Sequence, residues 1–236
     1  LNIPVARKIF IVPLLWSKLK SNEFHNELIK KSNNQILMYN GFLVADPKND
    51  NEQYHIIEHL ERGHAERLIP QIKQLQNQAN WQFNDLNLIA VNTGPGSFTG
   101  IRIGVAAARS FALALNIPSF GISLFTALAY LAQQISGDNI AVILPAYIGH
   151  YNCYFLSKHS KLEDICNIES AKILPYSTII EKQQDQILFV STDKITDKTY
   201  IPTSEEILKA FDIIARKAFG LIDFCSPKPI YMQPYK

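Results

Sequence analysis

Residues Asn92–Leu115 read N-T-G-P-G-S-F-T-G-I-R-I-G-V-A-A-A-R-S-F-A-L-A-L, and this run decides the fold. An apolar strand, Leu86–Val91, precedes it. Its second half is a helix of about four turns that the spacing predicts to open at Gly100 or Ile101. Between them lies a loop of glycine, proline, serine and threonine. Glycine permits positive φ and close backbone approach, Pro95 stiffens the turn, and Thr99 is the expected N-cap. Backbone N–H groups at a helix N-terminus favour an anion. Thr93, Gly94, Gly96, Ser97, Thr99 and Gly100 therefore form a candidate anion or nucleotide loop. It follows no common phosphate grammar. Counted from Gly94, the Walker pattern finds Thr99 at its second glycine and no lysine after it. The dinucleotide pattern fails because Gly100 comes one residue late, and Ser97 lacks the spacing of a nucleophile elbow.

Three further stretches accompany this one: G-H-A-E-R-L-I-P at Gly63–Pro70, G-I-S-L-F-T-A-L-A at Gly121–Ala129, and a closing P-K-P-I-Y-M-Q-P-Y-K. Together with Val91–Pro118 they resemble the bacterial TsaB (YeaZ-type) family of tRNA threonylcarbamoyladenosine biosynthesis proteins, filed with "glycoproteases" although not peptidases. The resemblance is close over residues 60–130, thinner from 140 to 236, and not visible before about residue 52. It implies an α/β chain of two actin-like ATPase (ASKHA) subdomains, each a mixed sheet with packed helices. The expected division is 1–117, with 1–51 divergent, and 118–236, ending in an extended tail.

The same resemblance implies a non-catalytic partner subunit of the complex that puts threonylcarbamoyl on tRNA adenosine. The chemistry is transfer from threonylcarbamoyl-adenylate to the adenine exocyclic amine. Metal and catalytic site belong to the partner, TsaD, and a small ATPase, TsaE, joins them. The expected chain holds no metal or cofactor of its own, with ATP or ADP at the complex interface, and it reaches tRNA through the complex. It is cytoplasmic, free of membrane, and pairs with itself when TsaD is missing. Interface roles carry over to His64, Leu68, Ile72, Arg102, Val105 and Arg109.

Two departures from the family bear on chemistry. An actin-like fold opens with a strand ending in aspartate, but Lys8–Leu15 contains no acid. The family's acidic and basic step between two later strands is here Pro145–His150, P-A-Y-I-G-H, without acid or arginine. Both fit a scaffold better than an ATPase. The alternative is a hydrolase or kinase that binds phosphate through the Gly94–Gly100 loop, and it stays open at this point. No serine or cysteine stands in a recognisable nucleophile context.

Composition sets the outer limits. The chain has 236 residues, 47% hydrophobic and 19% charged, which suits a globular protein with a substantial core. A net charge of +2 does not by itself argue for nucleic-acid binding. Cys153, Cys166 and Cys225 lack metal-ligand spacing and read as reduced thiols. The sequence opens on Leu1 rather than methionine, so a longer or altered reading frame is expected. The apolar run Ile9–Trp16, broken by Pro13, is too short for a membrane helix and has no cleavage site after it. It reads as a first buried strand, followed by a polar, weakly helical Ser17–Asn34.

Asn40-Gly41 between apolar runs predicts a hairpin turn. Asp46–Asn51 reads as a loop and Gln53–Leu60 as a strand. On that strand His55-Ile-Ile-Glu-His59 matches an inverted zinc-protease motif. Chelation at i and i+4 needs a helix; on a strand the two histidines stand about 13 Å apart, so zinc is rejected. A helix over His64–Ala79 carries one apolar stripe, Leu68, Ile69, Ile72, Leu75 and Ala79. Helix 100–115 is apolar nearly all round, which predicts burial on two sides, the second against another subdomain or chain. Ser123 is expected to cap a helix to about Gln134. Strands are expected at Ser119–Ile122, Ile140–Leu144, Tyr151–Ser157, Ile173–Tyr176 and Ile187–Val190, with Lys158–Asn167 a loop. Thr203 and Glu206 form a capping box for a final amphipathic helix that Gly220 ends.

Overall fold

A computed structural model describes residues 9–12, 16–19, 36–46, 49–60, 63–182, 187–218 and 227–232. The first sheet holds β1 (Ile9–Val12), β2 (Trp16–Leu19), β3 (Ile36–Asp46), β4 (Asn49–Leu60), β5 (Leu88–Asn92) and β6 (Ser119–Ile122). β1 lies between β3, to which it is antiparallel, and β5, to which it is parallel. β5 and β6 are parallel, joined through α2 (Phe98–Leu115) as a strand–helix–strand crossover. The second sheet runs β11 (Thr199–Tyr200), β10 (Ile187–Val190), β7 (Asn139–Tyr147), β8 (His150–Leu156), β9 (Lys172–Pro175). The remaining helices are α1 (His64–Ala79), α3 (Leu124–Ile135), α4 (Leu162–Cys166), α5 (Tyr176–Glu181) and α6 (Ser204–Ala218).

Strand alternation builds the layers, because successive side chains point to opposite faces. Leu88 and Ala90 of β5 face a central core with α3, α6 and the Ile140, Val142 and Leu144 face of β7. Ile89 and Val91 face outward, onto Leu68, Ile72 and Leu75 of α1 and Ile101, Val105 and Ala108 of α2. On the far side, Ala141 and Ile143 of β7 pack with Phe189 and with Ile179 of α5. The order is therefore helices, sheet, helices, sheet, helix. The capping box opens α6 as expected: the Thr203 N–H donates to Glu206 Oε2 at 2.6 Å, and the Glu206 N–H to Thr203 Oγ1 at 3.2 Å.

Several local expectations are overturned. Asn40-Gly41 makes no turn; both lie inside β3, paired with Glu58 and Ile57 of β4. They sit where the other edge of β3 changes partner, from β2 as far as Tyr39 to β1 from Leu43. Long-range pairing on both edges outweighs the local turn preference. The hairpin between β3 and β4 falls instead after Asp46, where the register shifts. Trp16–Leu19 is a strand, not the start of a weak helix, and residues 20–34 lie outside the described residues. Helix α2 begins two residues early, at Phe98, with Ser97 rather than Thr99 as its N-cap. The loop expected at Lys158–Asn167 contains α4, and α5 follows β9 where strand was expected to continue to Tyr176. Just past residue 118, β6 pairs with β5 in the first sheet. Phe219, Gly220 and Cys225 lie outside the described residues.

Candidate functional site

The glycine loop is closed by the protein itself. Asn92, at the end of β5, accepts the Gly94 N–H on Oδ1 at 2.9 Å, and Gly94 takes φ +107°. The Thr93 N–H donates to the Ile122 carbonyl at 3.0 Å, while the Thr93 carbonyl accepts the Ile230 N–H at 2.8 Å. The Gly94 carbonyl accepts the Leu124 N–H at 2.8 Å and the Ser123 hydroxyl at 3.0 Å. Ser97 Oγ accepts the Gly100 N–H at 3.3 Å. Of the six candidate anion-loop residues, Thr93, Gly94 and Gly100 are buried with these N–H groups committed inside the protein. Gly96 and Thr99 are exposed, and Ser97 is half-buried. The tail segment joins this closure through the Ile230 N–H. Asn92 Nδ2, 1% exposed as a residue, makes no hydrogen bond.

The two sides of α2 differ sharply. Ile101, Val105, Ala108 and Ala112 form the inner stripe against β5. Phe98, Arg102, Ala106, Arg109 and Leu113, spaced four, four, three and four, form an outer stripe that is exposed along its length. Leu113 is 85% exposed and Phe98 57%. No acid occurs in the helix, and the Arg102 guanidinium lies over the Phe98 ring at 5.0 Å. By length and composition α2 could cross a membrane. Here its apolar content is divided between a core stripe and a surface stripe that also carries two arginines.

Among the candidate interface residues, Leu68, Ile72 and Val105 are buried in the chain's own core. Arg102 and Arg109 are on the surface, and His64 opens α1. Sequence reasoning missed Phe98, Ala106 and Leu113, although their helical spacing with the two arginines was a readable signal. Beside α2, helix α1 adds a shallow groove lined by Ile69, Pro70, Lys73, Gln74, Asn77 and Gln78.

The other candidates are structural. His55–His59 lies on β4, and Glu58 accepts Arg67 Nη2 at 2.7 Å and also Gln71 Nε2. That pairing holds the Arg67 guanidinium above its ordinary pKa and ties α1 to the sheet. Burial pushes the Cys153 thiol up to about 12 and the Cys166 thiol up to about 11, so neither is a ready nucleophile. Among the described residues, no group of three or more His, Cys, Asp or Glu is placed to hold a metal ion. The step at Pro145–His150 is a hairpin tip with Ile148 exposed and Tyr147 stacked on His150 at 4.4 Å.

Comparison with known proteins gives a consistent result. The model of the family described as TsaD, tRNA N6-adenosine threonylcarbamoyltransferase, matches residues 56–213. The tRNA threonylcarbamoyladenosine biosynthesis protein TsaB of Buchnera aphidicola (subsp. Schizaphis graminum) is 39% identical over 97 residues, 41% of this chain and 46% of that one. The protein of the same name from Bacillus subtilis is 28% identical over 175 residues, 73% of this chain and 72% of that one. Matches to several such relatives thus span less than half of their length. The solved structure of YeaZ from Pseudomonas aeruginosa superposes with a TM-score of 0.63 at 19% identity, covering 95% of this chain and 99% of that one. The two-sheet architecture is accordingly the actin-like ATPase type, and the chain belongs to the TsaD (glycoprotease) family of tRNA threonylcarbamoyladenosine biosynthesis proteins.

Proposed function

We propose that this chain is a non-catalytic partner subunit in tRNA threonylcarbamoyladenosine formation, pairing with a TsaD-type catalytic subunit through the outer face of α2. The observation that carries the reading is the stripe Phe98, Arg102, Ala106, Arg109 and Leu113, apolar and basic, exposed on a helix whose other side is core. A soluble monomer has little reason to keep Leu113 at 85% exposure on so apolar a helix. The small Ala106 lets a second helix approach closely, while Arg102 and Arg109 call for carboxylates opposite. Leu68, Ile72 and Val105 serve from beneath, fixing α1 and α2 on the sheet. We place the chain in the cytoplasm, with a TsaE-type ATPase as third component and tRNA reached through the assembly. It pairs with itself when the catalytic subunit is absent, and ATP or ADP belongs at the complex interface.

The test is light scattering after size exclusion, with the chain alone and with TsaD from the same organism. Leu113→Glu puts a charge where burial of a leucine contributes about 2 kcal/mol, so heterodimer affinity should drop about thirtyfold or more. Far-UV dichroism and Tm should stay as in the parent, because Leu113 makes no part of the core clusters. Unchanged assembly in that variant would remove the proposal. A nucleotide-binding reading of the Gly94–Gly100 loop draws on the unpartnered Asn92 Nδ2 and on the backbone N–H groups at the start of α2. Tight ATP binding by the isolated chain, abolished in Gly96→Arg, would restore it.

A further inference from the structure

The segment 227–232 crosses the carboxyl ends of β5 and β6 and is fixed there at several points. The Ile230 N–H donates to the Thr93 carbonyl at 2.8 Å. A Cβ placed on Gly94 would stand 3.2 Å from the Ile230 carbonyl oxygen, and one on Gly121 would stand 3.4 Å from Pro227 Cβ. Met232 packs against the central core. Between the last two anchors, Tyr231 turns outward and sets its ring 5.2 Å from Phe98, at a tilt of 37°. Phe98 is the first residue of α2, and its ring in turn lies under the Arg102 guanidinium. Tyr231 and Phe98 are 48% and 57% exposed. These rings touch at the surface, so their contact orients side chains there more than it fills the core.

We infer that the C-terminal segment is a latch and that Tyr231 is a positioning residue: through Phe98 it holds Arg102 in the orientation the partner meets. Arginine carries a long, rotamer-rich side chain, and ordering it before contact lowers the entropy cost of binding. A guanidinium stacked on a ring presents its N–H edge in one plane, which suits a carboxylate. The backbone bond from Ile230 to Thr93 keeps the tyrosine over the start of α2. The latch rests on the α2 reading of partner binding and adds a second segment of the chain to that surface.

The experiment is a double-mutant cycle on the full chain, with TsaD of the same organism as the titrant and calorimetry as the readout. Tyr231→Ala should weaken binding about fivefold, the scale of one exposed cation–ring contact. Tyr231→Phe keeps the ring and should bind as the parent does. Ile230→Pro removes the donor to Thr93, releasing a tyrosine that is itself unaltered, and should weaken binding as Tyr231→Ala does. The decisive variant is Tyr231→Ala with Arg102→Ala. If the tyrosine acts through the arginine, the double variant binds no worse than Arg102→Ala alone. Independent, multiplying losses would overturn the latch, as would unchanged binding in Tyr231→Ala when Arg102→Ala and Leu113→Glu are impaired. If those two variants also bind normally, the α2 interface itself has failed and the latch with it. Tm measured on each variant separates loss of folding from loss of contact, and Ile230→Pro, alone and with Arg102→Ala, carries the same test should the alanine variant unfold.

Discussion

Gly94→Ala tests whether the loop is a closed structural turn. Gly94 stands at φ +107°, a region that L residues occupy only with strain of about 1–3 kcal/mol. The added methyl would meet Ile101 Cδ1 at 2.8 Å and the Ile230 carbonyl oxygen at 3.2 Å. Ile101 belongs to the inner stripe of α2, in the same buried cluster as Val91 and Val105, so its side chain has to re-orient inside the core. The carbonyl belongs to the tail. Relief therefore takes a change of the Ile101 side chain and a small shift of the tail, a further cost of about 1–2 kcal/mol. The sum, about 3 kcal/mol, corresponds to a Tm lower by roughly 10 °C for a chain of this size. Urea denaturation followed by tyrosine and tryptophan fluorescence, with calorimetric Tm beside it, reads the effect. Gly96→Ala is the matched control, since Gly96 is exposed and without positive φ, and should change stability by less than about 0.5 kcal/mol. If Gly94→Ala is as stable as the parent, the account of this glycine as a backbone device is wrong.

Thr203→Ala removes the hydroxyl end of the capping box on α6 and should cost about 1 kcal/mol near neutral pH. The hydrogen bond from the Thr203 backbone, then that from its side chain, lowers the Glu206 carboxyl from its ordinary 4.5. A depressed folded-state pKa gives stability that is present above the unfolded value and lost as pH falls through the folded one. The gap between parent and variant should accordingly narrow as pH falls below the ordinary 4.5 without closing, because the lost Glu206 N–H bond to Thr203 Oγ1 does not depend on the carboxylate's charge, as denaturation midpoints across pH will show. A second test concerns the thiols, run on a Cys225→Ser background. With Cys153 pushed up to about 12 and Cys166 to about 11, the thiolate fractions near pH 8 are about one in ten thousand and one in a thousand. Both should stay unmodified by a disulfide reagent until denaturant is added; prompt labelling of the native protein would contradict their burial.

What could be read from the residues depended on how local the cause was. The capping box at Thr203 and the cap at Ser123 are decided within one or two turns of chain and stand where the pattern put them, and of the α1 stripe Leu68, Ile72 and Leu75 are buried while Ile69 is left 46% exposed. Asn40-Gly41 has an equally strong local signal, yet its outcome depends on β1, β2 and β4 arriving from other parts of the chain. The N-cap illustrates a finer failure. Ser97 and Thr99 both carry the right chemistry; the cap is Ser97, and Phe98 enters the helix with its ring at the surface beside Tyr231. Tyr231 lies more than a hundred residues away in sequence, so no window around the loop contains that information. For the same reason α2 was recognisable as apolar on all sides, while the residues facing the core and those left outside could be separated only when β5 was in place. Val105 and Leu113 look alike in a hydropathy profile; one is sealed under the sheet-facing side and the other stands in water.

The loop and the helix also constrain each other. A loop that cradled phosphate would need its N–H groups free and its glycines open to the ligand. Instead the Thr93 and Gly94 carbonyls are turned toward Ile230, Leu124 and Ser123, and the N–H groups of Thr93 and Gly94 toward Ile122 and Asn92. These bonds draw together the end of β5, the end of β6, the start of α3 and the tail, four segments at one point. The consequence is a rigid base for α2, whose first residue follows directly on the Ser97 cap. A helix fixed so firmly at its N-terminus and along its inner stripe offers its outer stripe with little motion to lose on binding. On the proposed reading, the closure that fixes this turn is therefore what makes the neighbouring surface fit for a partner, and loosening the turn at Gly94 should weaken assembly as well as stability.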